Sequence, residues 1–341
     1  MMKLDEISKL LKQPGFIGEA IVDNVKPRDY ISTGNYLMNC LISADPYKGL
    51  PSNKILQLAG DSSTGKTFLS QELVLNAQKN GYDVIYIDTE GAQDAEQLKK
   101  RGIDLDRMMI IPHNTVEDLN VDLTNILDKV DPVSDKIMIV LDSLGNLSTR
   151  KEVSDTLADS DKADMTRAKQ IRKLFRLLSI RSAYKQVPVV IINHTYSSQS
   201  FIPMTIVGGG KGQAYGASVT ITLTKSKDKG SDGRINGVFI KAKTDNKSRM
   251  ARENMTVTLY LSYSTGLNTY YGLAELAEAA GLITKEGRKY KYKDTYYKEI
   301  PTEIFDELLK GELGEWLKKL FSYGSAVELK CINEDIEEIE G

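Results

Sequence analysis

The run Gly60-Asp61-Ser62-Ser63-Thr64-Gly65-Lys66-Thr67 is the part of the sequence best suited to chemistry. It matches the pattern G-x-x-x-x-G-K-[ST] in full and lies between an apolar run and a stretch with helical spacing. In such a loop, backbone N–H groups and the start of the helix hold phosphates, the lysine reaches the outer phosphate oxygens and the final hydroxyl binds Mg²⁺. The sequence therefore predicts a site for a nucleoside triphosphate and Mg²⁺ at residues 60–67, with Phe68 beside it.

Two carboxylates at the ends of apolar runs could complete this site. Asp142 ends the run 137–142 and is predicted to orient the Mg²⁺ shell. Glu90 lies just past the run 84–88, where a carboxylate can orient and deprotonate an attacking water. By spacing alone, Glu90 fits equally well as an acid on a surface loop.

Composition sets broad limits. The 341 residues suffice for two domains, or for one large core with a small appendage. With 45 Lys plus Arg against 47 Asp plus Glu, a polyanion site has to be a local patch. The two cysteines, Cys40 and Cys331, indicate neither a disulfide framework nor a zinc site. Without a signal peptide or a long apolar run, the sequence predicts a cytoplasmic protein that has no membrane contact.

The middle of the chain alternates between two hydrophobic periods. Apolar runs at 53–60, 83–88, 136–142 and 187–193 predict strands, and helical patterns at 67–80, 116–130 and 164–184 lie between them. This alternation is typical of an α/β fold with a mostly parallel central sheet covered on both faces. Residues 217–261 instead predict antiparallel strands at a sheet edge.

The two ends of the chain differ from this pattern. Residues 4–12 have the apolar spacing of a short N-terminal helix. Residues after 281 predict a small C-terminal α/β region with helices near 304–309 and 315–321, followed by an acidic tail at 333–340. We therefore expect an N-terminal helix and linker at 1–30, a core at 31–280 and a C-terminal region at 281–341.

Further motifs occur in a fixed order around the phosphate loop. They are Ile31-Ser32-Thr33-Gly34, Gly49-Leu50-Pro51 and the runs at 88–94, 142–147, 164–169, 174–176, 192–196 and 208–210. Together they resemble the RecA-like P-loop ATPase core of RecA-type recombinases, most closely the bacteriophage UvsX branch. The resemblance implies a protein that forms a helical filament on single-stranded DNA with ATP and Mg²⁺, pairs it with homologous double-stranded DNA and exchanges strands. It also implies a single-strand-binding protein and a loader or mediator as partners, and an N-terminal helix that acts in oligomerisation by docking on the next subunit.

The resemblance also assigns residues around the nucleotide. Glu90 matches the catalytic glutamate, and Asp94 and Tyr271 match positions that contact adenine. His194 matches the position of a glutamine that senses the γ-phosphate, and either protonation state of an imidazole is open near neutral pH. Two basic residues are expected to cross the subunit interface to a neighbour's ATP. They are Lys247 and Arg249, with Lys243 as an alternative.

Two segments, 148–165 and 195–216, are expected by this resemblance to face DNA. After the first, Arg167 and Lys169 begin a basic helix and are predicted on the phosphate backbone, whereas its more distal charges fit a solvated face. The second segment is predicted to wedge apolar side chains between bases without sequence preference, or else to be a buried loop. Its candidate contacts are Phe201, Ile206, Gly208, Gly209, Gly210 and Lys211.

Three other classes share the phosphate loop. A ring-forming helicase or recombination-accessory ATPase has the same core, but is disfavoured by the short N-terminal segment. A small-molecule kinase would need a lid and an acceptor pocket, for which the sequence offers no residues. A non-catalytic nucleotide-gated module is disfavoured because Lys66, Thr67, Glu90 and Asp142 are all present.

Overall fold

A computed structural model of the chain describes residues 26–157, 166–197, 205–207, 216–230, 233–245 and 248–324. Within these ranges, no helix has the length and apolar character needed to cross a membrane. Several predicted features lie outside the described residues. They are the N-terminal helix at 4–12, the residues Phe201, Gly208, Gly209, Gly210, Lys211 and Lys247, and the acidic tail at 333–340.

The strands form one large sheet and two small ones. In chain order they are β1 (Tyr30–Ile31), β2 (Leu50–Pro51), β3 (Ile55–Gly60), β4 (Asp83–Asp88), β5 (Met108–Pro112), β6 (Ile137–Asp142), β7 (Val189–Ser197), β8 (Thr205–Val207), β9 (Val219–Lys229), β10 (Ile235–Thr244), β11 (Thr256–Ser262), β12 (Gly266–Leu267), β13 (Thr284–Glu286), β14 (Lys289–Tyr292) and β15 (Thr295–Tyr297). Among the described residues, the large sheet has ten strands in the order β12-β11-β10-β9-β3-β7-β6-β4-β5, with β8 paired to β7.

The central part of this sheet is parallel. Strands β9, β3, β7, β6, β4 and β5 each pair in parallel with the next in that order. All six residues of β3 are buried, as expected for a strand with helices on both faces. The predicted α/β fold with a mostly parallel sheet is therefore confirmed. Because parallel strands end at the same edge, the residues after β3, β4, β6 and β7 come together there.

Helices cover both faces of the sheet. They are α1 (Tyr36–Ser43), α2 (Lys66–Lys79), α3 (Ala95–Lys100), α4 (Val116–Lys129), α5 (Arg150–Leu157), α6 (Thr166–Lys185), α7 (Leu273–Ala279), α8 (Thr302–Lys310) and α9 (Glu312–Phe321). Helix α4 begins where the Thr115 hydroxyl accepts the backbone N–H of Asp118. Its residues Leu119, Leu123 and Leu127 then fall four apart and pack with α6. Helices α1 and α2 belong to the other hydrophobic cluster.

The predicted antiparallel strands are present and form one edge of the main sheet. Strand β9 pairs in parallel with β3 and antiparallel with β10, which in turn pairs with β11. Gly60, the last residue of β3, lies opposite Leu223, whereas Phe239 lies opposite Ser226. The β9–β10 pair therefore extends past the end of β3, on the same edge as the phosphate loop.

Several elements differ from the sequence-based expectation. Strand β7 ends at Ser197 rather than 193, because pairing with β8 satisfies its backbone groups further along. Helix α5 lies within the first expected DNA segment. Strand β5 and helices α1 and α3 were not predicted. Strand β5 is at the sheet edge and leaves Met109 and Ile110 exposed, so its burial pattern is not that of an interior strand.

The C-terminal region packs on the core. Strands β13, β14 and β15 form a separate antiparallel sheet. Apolar side chains of α8 and α9, among them Phe305, Leu309 and Leu317, join the hydrophobic cluster that includes α1 and α2. The two helices predicted here are present, with α9 beginning three residues earlier than expected. The boundary at 281 stays a prediction.

Candidate nucleotide-binding and catalytic site

The phosphate loop joins the end of β3 to the start of α2. Gly65 precedes the helix with a left-handed backbone (φ 97°), and an added Cβ there would lie 2.8 Å from Cδ1 of Ile240. At Gly60 an added Cβ would lie 2.5 Å from the backbone oxygen of Leu223. Gly60 is therefore required by the close approach of the β9 backbone, and Gly65 by its left-handed conformation. The resulting loop brings the first N–H groups of α2 to the carboxyl edge of the sheet, where they can bind an anion.

The Lys66 ammonium is turned back onto this loop. Its side chain is buried, and Nζ donates to the backbone oxygens of Gly60 at 2.9 Å and Asp61 at 2.6 Å. Burial lowers the pKa of Lys66, although the carboxylates of Asp142, Glu90 and Asp61 oppose that shift. A phosphate oxygen would replace the two carbonyls as the acceptor for this cation.

Thr67 and Asp142 form the candidate metal site. The Thr67 hydroxyl donates to Oδ2 of Asp142 at 3.0 Å, and the Tyr86 hydroxyl donates to the same oxygen at 2.7 Å. Burial raises the pKa of Asp142, with Glu90 and Asp88 adding to the shift and the two hydrogen bonds opposing it. A hydroxyl and a carboxylate are the hard oxygen donors that Mg²⁺ prefers, so these residues fit the ion that the resemblance implies.

Glu90 lies on the loop that follows β4. Asp88, the last residue of that strand, accepts the backbone N–H groups of Glu90 and Gly91 at 3.0 and 2.9 Å. The Ser143 hydroxyl donates to Oε1 of Glu90 at 2.8 Å, and Nε2 of His194 lies 3.2 Å from the same oxygen. Partial burial acts to raise the pKa of Glu90, but these contacts and the charge of Lys66 outweigh it, so the pKa is lowered. Glu90 is therefore held as a carboxylate, able to accept a proton.

The residues assigned to adenine have clear partners within the fold. The Asp94 carboxylate accepts the backbone N–H of Gln97 at 2.8 Å and begins α3. The Tyr271 ring lies 5.8 Å from that of Phe239 and 5.6 Å from that of Tyr260. Burial of Tyr271, with nearby carboxylates, raises its pKa to about 12. An adenine contact by Asp94 or Tyr271 stays a prediction.

Arg249 lies far from the phosphate loop of its own chain. Its backbone N–H donates to the carbonyl oxygen of Ser218, which precedes β9. Arg249 also lines a small cavity of about 130 Å³ with Asn53 and Lys54, which directly precede β3. This cavity is at the amino-terminal end of β3, whereas Gly60 is at its carboxyl-terminal end. A contact of Arg249 with ATP would therefore have to be made to another subunit.

Two of the basic residues assigned to DNA, Arg167 and Lys169, have different surroundings. The Arg167 guanidinium donates to the backbone oxygens of Leu147 at 3.0 Å and Gly145 at 2.5 Å, so it ties α6 to the segment after β6. Lys169 is exposed on the same helix. Ile206 lies in β8, opposite Tyr196 in β7.

Several contacts at the site were not foreseen from the sequence. They are those of Tyr86 with Asp142, Ser143 with Glu90, Gln93 with Tyr86 (Nε2 to the hydroxyl, 3.0 Å) and Thr195 with Asp61 (2.5 Å). Ser143 could have been noticed, since it directly follows a predicted metal ligand at a strand end. Tyr86 belongs to an apolar strand and Thr195 to the motif at 192–196, and neither carries a local signal for its partner.

Comparison with known proteins identifies the family. A family model described as the RecA N-terminal domain matches residues 5–268. The recombination and repair protein of Enterobacteria phage T4 is 30% identical over 288 residues, which cover 84% of this chain and 71% of that protein. The RecA protein of Mycoplasma mycoides is 25% identical over 93% of this chain and 91% of its own length. That of Mesomycoplasma hyopneumoniae (strain 7448) is 25% identical over 72% and 71%. Since the matched domain spans well over half of the chain, the protein belongs to the RecA family.

Proposed function

We propose that this protein is a DNA-dependent ATPase of recombination and repair. It assembles as a helical filament on single-stranded DNA, pairs the strand with homologous double-stranded DNA and exchanges the strands. The observation that supports this most is the convergence of Lys66, Thr67, Asp142 and Glu90 at one edge of the sheet, with Glu90 in contact with His194. His194 belongs to β7, the strand that leads into the second DNA segment.

The phosphate loop residues Gly60 to Thr67 bind the triphosphate of ATP through backbone N–H groups and Lys66. Thr67 and Asp142 hold Mg²⁺, which neutralises charge on the phosphates when bound. Tyr86 fixes the orientation of the Asp142 carboxylate through its hydroxyl. Asp94 and Tyr271 contact the adenine.

Glu90 orients the attacking water and accepts its proton. Glu90 is ionised at neutral pH, since its pKa is lowered from an ordinary value that already lies well below 7, and the Ser143 hydroxyl fixes the position of one carboxylate oxygen. The second oxygen of the carboxylate is then the one that meets the water. His194 senses the γ-phosphate and shares the first oxygen with Ser143, so the hydrolytic carboxylate and the strand leading to DNA are in direct contact.

DNA binding uses both segments that follow strand ends. Lys169 and Lys211 contact phosphates, and Phe201 and Ile206 wedge between bases. Lys247 and Arg249 act on the ATP of a neighbouring subunit, which makes hydrolysis depend on assembly. A single-strand-binding protein and a loader protein assist filament formation.

The test is ATP hydrolysis measured with and without single-stranded DNA, with negative-stain microscopy of the same samples. We expect strong stimulation by DNA together with helical filaments. Rings would favour the helicase or accessory ATPase, and hydrolysis that is indifferent to DNA would favour a small-molecule kinase. Either result would contradict the proposal.

A further inference from the structure

Asp61 is an acid inside the phosphate loop. It is the second residue of the loop, directly after Gly60 at the end of β3. A carboxylate in this position repels the polyanion that the loop is proposed to bind, so its charge opposes the ligand. A residue whose charge disfavours ligand binding at a functional site is expected to have another role that compensates for this effect.

The side chain of Asp61 binds β7. Its Oδ1 accepts a hydrogen bond of 2.5 Å from the hydroxyl of Thr195, whose side chain is only 8% exposed. A hydrogen bond to a charged acceptor is stronger than one between neutral groups. The carboxylate therefore fastens the end of β7 to the phosphate loop.

The backbone of Asp61 takes part in the same arrangement. Its carbonyl oxygen accepts Nζ of Lys66 at 2.6 Å and the hydroxyl of Thr64 at 2.9 Å. One residue thus contacts the phosphate-binding lysine through its carbonyl and β7 through its carboxylate. A phosphate bound by Lys66 would compete with this carbonyl for the ammonium and would bring negative charge beside the carboxylate.

Neighbouring side chains of β7 point to opposite sides of the strand. His194 reaches Glu90, and Thr195 reaches Asp61. The end of β7 is therefore tied at two independent points, one to the hydrolytic carboxylate and one to the phosphate loop. Beyond this point Thr195 lies opposite Val207 in the pairing of β7 with β8.

We propose that the hydrogen bond between Asp61 and Thr195 is a latch that couples nucleotide binding to the end of β7, separately from His194. The proposal rests on the proposed binding of ATP and DNA. With the bond made, the end of β7 is held at the phosphate loop, and this held arrangement is the one with the lower affinity for DNA. Phosphates repel the Asp61 carboxylate, the bond to Thr195 breaks, and the strand is free to adopt the arrangement that binds DNA.

Three variants test the latch. Thr195→Val keeps the side-chain shape and removes the hydroxyl, whereas Thr195→Ser keeps the hydroxyl. Thr220→Val is the matched control, because Thr220 is also a strand threonine that is 8% exposed and donates to Gln57, away from the phosphate loop. The measurement is the affinity for single-stranded DNA with and without a non-hydrolysable ATP analogue.

We expect Thr195→Val to raise the nucleotide-free DNA affinity by about tenfold, the effect of one hydrogen bond to a charged group. The DNA affinity measured with the analogue should stay as in the wild type, so the analogue should raise DNA affinity by a smaller factor. By linkage, the effect of DNA on analogue affinity shrinks by the same factor. Thr195→Ser and Thr220→Val should keep the wild-type values. A merely structural role for Thr195 would lower both DNA affinities instead.

The latch would be overturned if the analogue changed the DNA affinity of Thr195→Val as much as that of the wild type. It would also be overturned if Thr195→Ser showed the same change as Thr195→Val. Neither result would contradict the proposed function. If the DNA affinity of the wild-type protein is the same with and without nucleotide, the proposed function would be overturned as well. If Thr195→Val does not fold, Asp61→Asn decides the matter, because it removes the charge at constant size. This variant should bind the analogue more tightly than the wild type, and the analogue should change its DNA affinity less. Wild-type values of both quantities would again overturn the latch.

Discussion

His194 Nε2 lies 3.2 Å from Oε1 of Glu90, the same oxygen that accepts the Ser143 hydroxyl. The contact joins the ends of two strands that are not neighbours in the sheet, since β6 lies between β4 and β7. It places the candidate water-activating carboxylate and the candidate γ-phosphate sensor in direct contact. A change at either residue therefore acts on the other.

Replacing Glu90 by Gln should separate hydrolysis from binding. Glutamine keeps an oxygen that can accept the Ser143 hydroxyl, but it does not act as a base, so hydrolysis should fall by about 10²–10⁴-fold. Nucleotide-dependent binding of single-stranded DNA should persist. Phosphate release and DNA binding are measured on the same preparation, with Glu96→Gln in the exposed first turn of α3 as the control. Unchanged hydrolysis would remove Glu90 from the mechanism.

Replacing Tyr86 by Phe tests the support of the metal site. The variant removes one of two hydroxyl donors to Oδ2 of Asp142, so the carboxylate is held less firmly. We expect the Mg²⁺ concentration for half-maximal hydrolysis to rise by about tenfold, as for other residues that orient metal ligands. Tyr82→Phe is the matched control, since Tyr82 is equally buried and its hydroxyl donates to Asp29. Similar Mg²⁺ curves for both variants would argue against this role.

Lys169 and Arg167 should respond differently to truncation. Lys169→Ala removes an exposed cation, and the dependence of log affinity on log salt for single-stranded DNA should weaken by about 0.7. Arg167→Ala leaves two backbone carbonyls without their charged donor and should lower the free energy of unfolding by about 1–3 kcal/mol. Salt titrations and urea unfolding of both variants distinguish the effects. An equal loss of salt dependence in Arg167→Ala would place its guanidinium on DNA.

Asp29 should make stability depend on pH. Its carboxylate accepts the Tyr82 hydroxyl at 3.0 Å and pairs with Lys136 at 2.9 Å. Burial acts to raise its pKa, but Lys136, Tyr82 and Arg28 outweigh this effect and lower it. The ionised form is therefore favoured by folding. Its contribution is present above the unfolded pKa of about 3.9 and is lost as pH falls through the lower folded pKa.

The variant Asp29→Asn measures this contribution. At pH 7 we expect a loss of about 1 kcal/mol, and the difference from the wild type should shrink as the pH is lowered from about 5. Urea unfolding at several pH values provides the measurement, with the exposed Asp106→Asn as the control. A difference that stays constant with pH would show that the charge of Asp29 makes no contribution.

The core of the site was predictable because its residues follow strands. The phosphate loop, Asp142 and Glu90 each come at or just after an apolar run, and parallel strands bring their carboxyl ends to one edge whatever their order. Thr67 and Asp142 are accordingly in hydrogen-bond contact, although 75 residues separate them. The helical patterns at 116–130 and 164–184 likewise located α4 and α6 to within two residues.

Other features depend on which strands are neighbours. Strand β7 continues past its apolar run because β8 pairs with it, and β5 is an edge strand without a clear alternating pattern. Arg167 was expected on DNA from the family resemblance and its charge, and that contact stays a prediction. Its backbone partners, Gly145 and Leu147, become available only when α6 packs beside the segment after β6.

The sequence by itself determined the candidate site residues of this protein and the edge of the sheet at which they meet. Local spacing is enough for that, because a phosphate loop and strand-end carboxylates are short motifs. The tertiary structure decided which side chains contact the same carboxylate oxygen. Tyr86 and Thr67 contact one oxygen of Asp142. His194 and Ser143 contact one oxygen of Glu90. It also placed Thr195 against Asp61. Such pairs depend on strand order and register, which are set by the packing of residues far apart in the chain rather than by the local pattern around any of them.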